Sequence, residues 1–294
     1  MRKTLLALTL STVAASAAFA QDWSAVEAAI GRPGVAQAGG VYRFNFPRSD
    51  MEVWTRGVRV KTAFALGGWI AMKPVSDGVM AMGDLVLADD EVEPVMLRLQ
   101  QGGVEQTAVH HHLLHESPRV LYMHVHAHGD PAKIGAAVRA ALALTRTPAP
   151  PAPAASPASA MPAIDLDTAA VAAALGRAGR VNGGVYQVTV PRADTVREGS
   201  FVVPPSMGLA TAINFQPTGN GRAAITGDFV LLAAEVNPVL RALRDNGIEA
   251  TSLHNHLIDE EPRLFFMHFW ANDDAVKLAR GLKAALDLTH ASAR

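Results

Sequence analysis

The 294-residue chain has no cysteine. Disulfides, thiolate nucleophiles and lipid attachment through a cysteine are therefore excluded. So are the thiolate-rich ligand sets of structural zinc and iron–sulfur centres. Hydrophobic burial has to stabilise the fold without covalent help. Long apolar runs are also lacking, because no segment reaches the roughly 20 apolar residues that a membrane helix requires. Charge of one sign is missing too: 26 Lys and Arg stand against 27 Asp and Glu, and no basic stripe appears. Phosphate neutralisation needs a basic face, so nucleic acid is not an expected partner.

The first residues carry a positive start, Met1-Arg2-Lys3, an apolar run from Thr4 to about Val13, and small residues ending Ala18-Phe19-Ala20. This arrangement reads as a secretory signal peptide over residues 1–20, cleaved after Ala20. The mature protein is then expected to be soluble, periplasmic or secreted, with no membrane anchor. Loss of Arg2 and Lys3 leaves 24 basic against 27 acidic residues, a charge of −3.

Self-similarity sets the organisation. Gly39-Gly40-Val41-Tyr42 recurs as Gly183-Gly184-Val185-Tyr186, and Pro47-Arg48 as Pro191-Arg192. Gly83-Asp84 recurs as Gly227-Asp228, and Pro94-Val95 as Pro238-Val239, always 144 positions apart. The expected layout is a first module over 21–144, a Pro/Ala-rich tether over 145–163 and a second module over 164–294. A tandem array and a pseudo-two-fold pair are both compatible with such a tether.

Each module reads as α+β, an antiparallel sheet with helices packed on one face. A short helix (Trp23–Ile30; Asp167–Leu175) precedes a strand (Val41–Phe46; Val185–Val190) and less regular extended segments. A second helix follows, which Asn237 caps and Pro238 opens in the second copy, with Gly247 at its exit. Then come a hairpin (Glu105–Leu114 and Val120–His126; Glu249–Leu257 and Leu264–Trp270) and a last helix.

Histidine is where the sequence is rich. Of 11 histidines, seven lie between His110 and His128 and three between His254 and His268. The two copies share the pattern H-x-H-x3-E-x-P-R-x3-M-H, carried by His110, His112, Glu116 and His124, and by His254, His256, Glu260 and His268. Side chains alternate along a strand, so both histidines of H-x-H point one way. If E-x-P is a turn, any even register brings the third histidine to the same face. Pairing His110 with His124 does so, and so does pairing His112 with His124. Three imidazoles and a carboxylate suit zinc, iron, manganese, nickel or copper. Hydrogen-bonded histidines on a half-exposed sheet face are the simpler use of the same residues. Asp84 and Asp228 are further candidates as ligands or bases, or else ordinary turn residues. Trp270 is either the wall of a ligand pocket or core. Arg119 and Arg263 are expected to pair with Glu116 and Glu260, or to clamp an anion.

The GGVY run and the stretch NPVLRALRDNGIEATSLHNHLIDEEPRLFFMHFWANDD resemble the LppY/LpqO family, bacterial envelope domains of unknown function. The resemblance covers both modules. It implies an envelope location and supplies no catalytic residues, and the lipidated cysteine of the lipoprotein members is absent here. H-x-H-x3-E is also similar to the metal-ligand run of cupins, although a helix directly before the motif does not suit a cupin barrel.

Three functions follow as expectations. One is a periplasmic protein binding a divalent transition metal through three histidines and one glutamate in each module. Another is a metal-dependent hydrolase-type enzyme in which Glu116 and Glu260 are the catalytic candidates. The third is a metal-free envelope module binding a glycan or small organic ligand.

Overall fold

In the computed structural model, which describes residues 21–150 and 163–292, both repeats follow one element order, except that a 3-10 turn at Pro205–Met207 takes the place of the short helix α2 in the second. The first comprises α1 (Trp23–Ile30), β1 (Val35–Gln37), β2 (Val41–Pro47), β3 (Trp54–Thr55), β4 (Val58–Arg59), α2 (Thr62–Ala65), β5 (Gly67–Val75) and β6 (Gly78–Ala88). It continues with α3 (Val92–Gln101), β7 (Glu105–His110), β8 (Glu116–Ser117), β9 (Val120–Gly129) and α4 (Pro131–Leu142). The second comprises α5 (Thr168–Leu175), β10 (Arg180–Asn182), β11 (Val185–Pro191), β12 (Arg197–Glu198), β13 (Phe201–Val202), β14 (Ala210–Gly219) and β15 (Arg222–Leu232). Last are α6 (Ala233–Asp245), β16 (Glu249–His254), β17 (Glu260–Glu261), β18 (Leu264–Asp274) and α7 (Ala275–Leu286). The proposed leader lies outside the described residues, as does most of the tether.

Each repeat forms a six-stranded antiparallel sheet, ordered β1-β2-β5-β6-β9-β7 in the first and β10-β11-β14-β15-β18-β16 in the second. Helices cover one face. In the first repeat Phe44, Ile70, Met72, Leu85 and Met123 pack under Val26, Val95, Leu99 and Val138. Burial of this kind stabilises by roughly 1.5–3 kcal/mol per large side chain. The helix ends follow local chemistry: Asp22 and Asp130 accept from main-chain N–H groups of the first turn, and Gly31 leaves α1 in the left-handed region.

The two helix-free faces pack on each other, so the molecule is layered helix, sheet, sheet, helix. Trp69, Ala71, Met80 and Met82 of the first repeat share a core with Met207, Leu209, Val230 and Phe266 of the second. Phe64, Leu66 and Tyr122 share another with Val185 and Trp270. Several contacts are reciprocal, as in a two-fold dimer. Thr107 Oγ1 donates to the His256 carbonyl at 2.6 Å, and Thr251 Oγ1 donates to the His112 carbonyl at 2.6 Å. The tether thus joins a pseudo-two-fold pair rather than an open array.

Two sequence expectations change. The extended segments before α3 and α6 contain long regular strands, β5, β6, β14 and β15. They lack apolar alternation because both faces are covered, as the nearly continuous burial of β6 shows. Helix α6 starts a turn earlier than Asn237. Glu235 accepts from the Leu232 N–H at 2.7 Å and stabilises the first turn, so Pro238 lies inside the helix.

The repeated Pro-Arg dipeptide is a buried ionic clamp. Arg48, 1% exposed, donates to Asp50, to Glu91 at 2.6 Å and to the Val86 carbonyl at 2.8 Å. Arg192 repeats this with Asp194, Glu235 and the Val230 carbonyl. Glu91 also accepts from the Ala88 and Arg146 N–H groups, tying the end of the interior strand β6 to a helix start and to the chain leaving α4. Replacing one partner of a buried pair leaves the other uncompensated and costs about 3–5 kcal/mol. Arg48→Met should therefore lower Tm by many degrees with far-UV circular dichroism retained; a loss below about 1 kcal/mol in urea unfolding would contradict a structural role for the clamp.

Candidate metal centre

The geometry starts from the hairpin register. His110 pairs with Tyr122 and Ala108 with His124, with a bulge between Gln106 and Ala108. In the second repeat His254 pairs with Phe266 and Ser252 with His268, with the corresponding bulge. Relative to the pairing of His110 with His124, the register has slipped two residues in the direction not anticipated. The slip is even, so His110 and His124 still share a face. The bulges free Thr107 and Thr251 from the ladder, and these are the threonines that bond across to the other repeat. His112 lies beyond the end of β7, and its ring stacks on Tyr122 with centroids 3.3 Å apart. His256 does the same on Phe266 at 3.4 Å.

Because the two hairpin faces meet, the six histidines form one cluster. The His110 and His254 rings stack with centroids 3.8 Å apart across the pseudo-two-fold. His112 lies 3.9 Å from His268, and His124 lies 3.8 Å from His256. His110 Nε2 is 3.3 Å from His268 Nε2. Donor atoms converge in three overlapping triads: His110, His112 and His268; His110, His124 and His254; and Asp228, His254 and His256. Each repeat's third histidine thus stands beside the H-x-H pair of the opposite repeat, His268 near His110 and His112 and His124 near His254 and His256.

Main-chain carbonyls orient the rings. The Nδ1 atoms of His124, His268 and His256 lie 3.1, 2.7 and 3.1 Å from the carbonyls of Gly83, Gly227 and Gly208. A carbonyl only accepts, so Nδ1 carries the hydrogen and the Nε2 lone pair faces the cluster. Gly83 and Gly227 are needed for close approach: an added Cβ would sit 2.6 Å from the Trp69 carbonyl oxygen or 1.9 Å from that of Ala212. The residue after each glycine supplies a carboxylate. Asp84 Oδ2 is 3.3 Å from His112 Nε2, and Asp228 Oδ2 is 3.1 Å from His256 Nε2. An ion bound tetrahedrally at about 2.0–2.1 Å sets its donors roughly 3.3 Å apart.

These groups are buried and their polar atoms lack partners. His112, His124, His254 and His256 Nε2, His110 Nδ1, and the Oδ1 atoms of Asp84 and Asp228 make no hydrogen bond. Burial, reinforced by the neighbouring imidazoles, holds His110, His112, His124 and His254 far below the ordinary histidine range. Burial pushes His256 and His268 down to about 3 and raises Asp228 to about 6. All six rings are neutral at pH 7, the form that ligates metals. A cleft of about 1240 Å³ reaches Asp84, His112, His124, Asp228, His256 and His268 from between the repeats.

The two glutamates lie outside this cluster. Glu116 Oε1 accepts from the Val120 N–H at 3.2 Å, and Glu260 Oε1 from the Leu264 N–H at 2.9 Å, closing the E-x-P turns. Neither contributes to a convergent donor group among the described residues. Asp84 and Asp228, left between ligand and turn by the sequence, are mid-strand residues facing the rings. Trp270 is core, with its ring edge-on to Phe64. Arg263 pairs with Glu260 at 3.5 Å, whereas Arg119 lies nearer His111 and Asp89. The exchange of the third histidine between repeats had no signal in the sequence, since periodicity sets the face but not what covers it.

The family model described as Domain of Unknown Function (DUF1259) matches residues 24–144 and again 169–288. The chain belongs to that family, in two copies. No curated protein matches it. Among solved structures, the trimeric bacterial microcompartment shell protein PduB is 10% identical, with 87% of this chain and 89% of that chain covered and a TM-score of 0.23. EtuB from Clostridium kluyveri is also 10% identical, with 87% and 91% covered and a TM-score of 0.20. Likeness this slight carries no inference. No described helix is long and apolar enough to cross a membrane.

Buried neutral histidines make stability depend on pH with a definite sign. Above about pH 6.5 folded and unfolded states are both unprotonated, and the rings cost nothing extra. Below it the unfolded chain takes up protons that the fold refuses, so stability falls by up to about 1.4 kcal/mol per pH unit per histidine. For His256 and His268 the window extends down to about pH 3. Carboxyls raised by burial act in the opposite sense, Asp228 between its unfolded value and about 6 and Glu116 up to about 7, with Glu260 raised as well, so they offset part of the six-ring effect. Metal-free protein should lose Tm steeply between pH 7 and pH 5 in thermal melts; a flat profile would contradict a neutral buried cluster.

Proposed function

We propose that the chain is an exported metal-binding protein with two divalent transition-metal centres, each completed across the boundary between the repeats. The first uses His110, His112 and Asp84 with His268. The second uses His254, His256 and Asp228 with His124. One observation carries this reading: a set of buried ring nitrogens and carboxylate oxygens points into one space with no hydrogen-bond partner. Buried polar atoms are nearly always satisfied, and a lone pair on a neutral imidazole next to another imidazole is satisfied by a cation. Imidazole with carboxylate suits zinc, iron(II), manganese, nickel or copper(II). Export rests on the leader-like residues 1–20, and an envelope location is what the LppY/LpqO resemblance implies.

The cleft favours a second reading, a metal-dependent hydrolase acting on a small ligand that enters between the repeats. In that reading the carboxylate available as a base is Asp84 or Asp228, not Glu116 or Glu260.

Elemental analysis and calorimetric titration of untagged protein test the first reading. Two equivalents of one transition metal are expected, His268→Ala should lose one of them, and Glu116→Gln/Glu260→Gln should keep both. A folded protein with no saturable binding would overturn the proposal, and unchanged chelator-treated stability would then favour a metal-free binding module for a glycan or organic ligand. Retention of both equivalents by His268→Ala, with loss in the glutamate variant, would restore the arrangement of one site per repeat.

A further inference from the structure

Strand β9 carries two more histidines beyond His124. His126 and His128 follow at intervals of two, so they extend the same face toward the end of the strand. The second repeat has Trp270 and Asn272 at these positions. Both rings converge on one carboxylate of the other repeat, Glu198 on β12. His126 Nε2 lies 2.9 Å from Glu198 Oε2, and His128 Nε2 lies 3.3 Å from the same oxygen. One donor atom from each residue falls within 4.8 Å of the others. The position that pseudo-symmetry equates with Glu198 holds Thr55, because Thr55 pairs with Glu116 as Glu198 pairs with Glu260. All three ligating residues are thus absent from the mirror position.

We propose that His126, His128 and Glu198 form a third transition-metal site, separate from the central cluster and present on one side of the molecule only. The spacings of 2.9 and 3.3 Å lie close to the roughly 3.3 Å that separates donors on a common four-coordinate ion. Two imidazoles and one carboxylate select zinc, nickel or copper(II) over magnesium or calcium, which prefer all-oxygen sites. Glu105 stands opposite His126 in the sheet register, its Oε2 3.9 Å from His126 Nδ1, placed to orient the ring from its far side. The site differs from the central centres in access. Side-chain exposure is 8% for His126, 15% for Glu198 and 33% for His128. Three protein ligands with one edge in solvent leave a coordination position for water, so metal exchanges here faster and binds more weakly than at the buried centres. Ligands from both repeats, His126 and His128 on β9 and Glu198 on β12, also make the ion a clamp between the repeats.

Calorimetric titration of the untagged full chain with Zn²⁺, and electron paramagnetic resonance with Cu²⁺, test this. The parent should show one weaker equivalent in addition to any central ones. His128→Asn, which installs the residue that the second repeat carries at the matching position, and Glu198→Gln, which keeps the shape, should each weaken that equivalent at least ten-fold and remove one Cu²⁺ signal. His112→Ala/His256→Ala should leave it in place, so failure of the central reading and failure of this one are distinguishable. Identical stoichiometry, affinity and Cu²⁺ spectra in the parent and both peripheral variants would overturn the proposal.

Discussion

The burial of six neutral imidazoles between two sheet faces is the constraint from which the rest follows. A helix-free sheet face that carries Trp69, Met80 and Met82 at one end and His112 and His124 at the other cannot be left in water or packed on pure hydrocarbon. Apolar residues demand a cover, and the rings demand a cover that also offers polar partners. The second copy of the module supplies such a cover. Each repeat supplies the other with threonine hydroxyls for the H-x-H carbonyls, an aromatic and methionine cover for the apolar end, and an imidazole for the polar end.

Precise placement of the rings depends on backbone, which explains why the repeated glycines sit where they do. Gly83 and Gly227 let adjacent strands approach more closely than any side chain allows. Their carbonyls hold His124 and His268 by Nδ1, and the next residue in each strand turns a carboxylate toward the partner histidine. Gly-Asp thereby fixes one ring's tautomer and supplies a charge one residue later. At neutral pH a carboxylate buried among neutral imidazoles has no cation to balance it, and Asp228 responds by rising to about 6. A bound cation would lower the cost of keeping that carboxylate ionised, which is the energetic content of the metal proposal.

Much of the fold was legible in the sequence. The 144-residue register predicts two copies, Gly247 leaves α6 through the left-handed region as expected, and the hairpin with its face parity follows from the period of two. Long strands β6 and β15 were obscured because burial on both faces removes the alternation that marks a strand. Parity also explains a partial success at the site. It places the histidines on one face in any even register, so the cluster was visible while the pairing was not. Three-dimensional cover is what the pattern lacks: nothing along the chain says that His268 stands beside His110, or that Trp270 is sealed against Phe64.

Glu116 and Glu260 show how a linear motif can mislead. In H-x-H-x3-E the glutamate follows the histidines at the spacing of a cupin ligand run, and the chemistry seems to call for a carboxylate. Here the chain reverses at E-x-P, through cis Ser117-Pro118 and Glu261-Pro262, and each carboxylate accepts from the N–H four residues on. Its role is to seat the first residue of the returning strand, which in turn fixes where His124 and His268 arrive. Burial raises Glu116 to about 7, and the same cause lifts Glu260. The carboxylate that faces the rings comes instead from a strand at the centre of the sheet, some thirty residues upstream, where only the recurrence of Gly-Asp marks it. Spacing alone therefore does not decide between a turn residue and a ligand, and here both glutamates accept from the main chain where the strand returns.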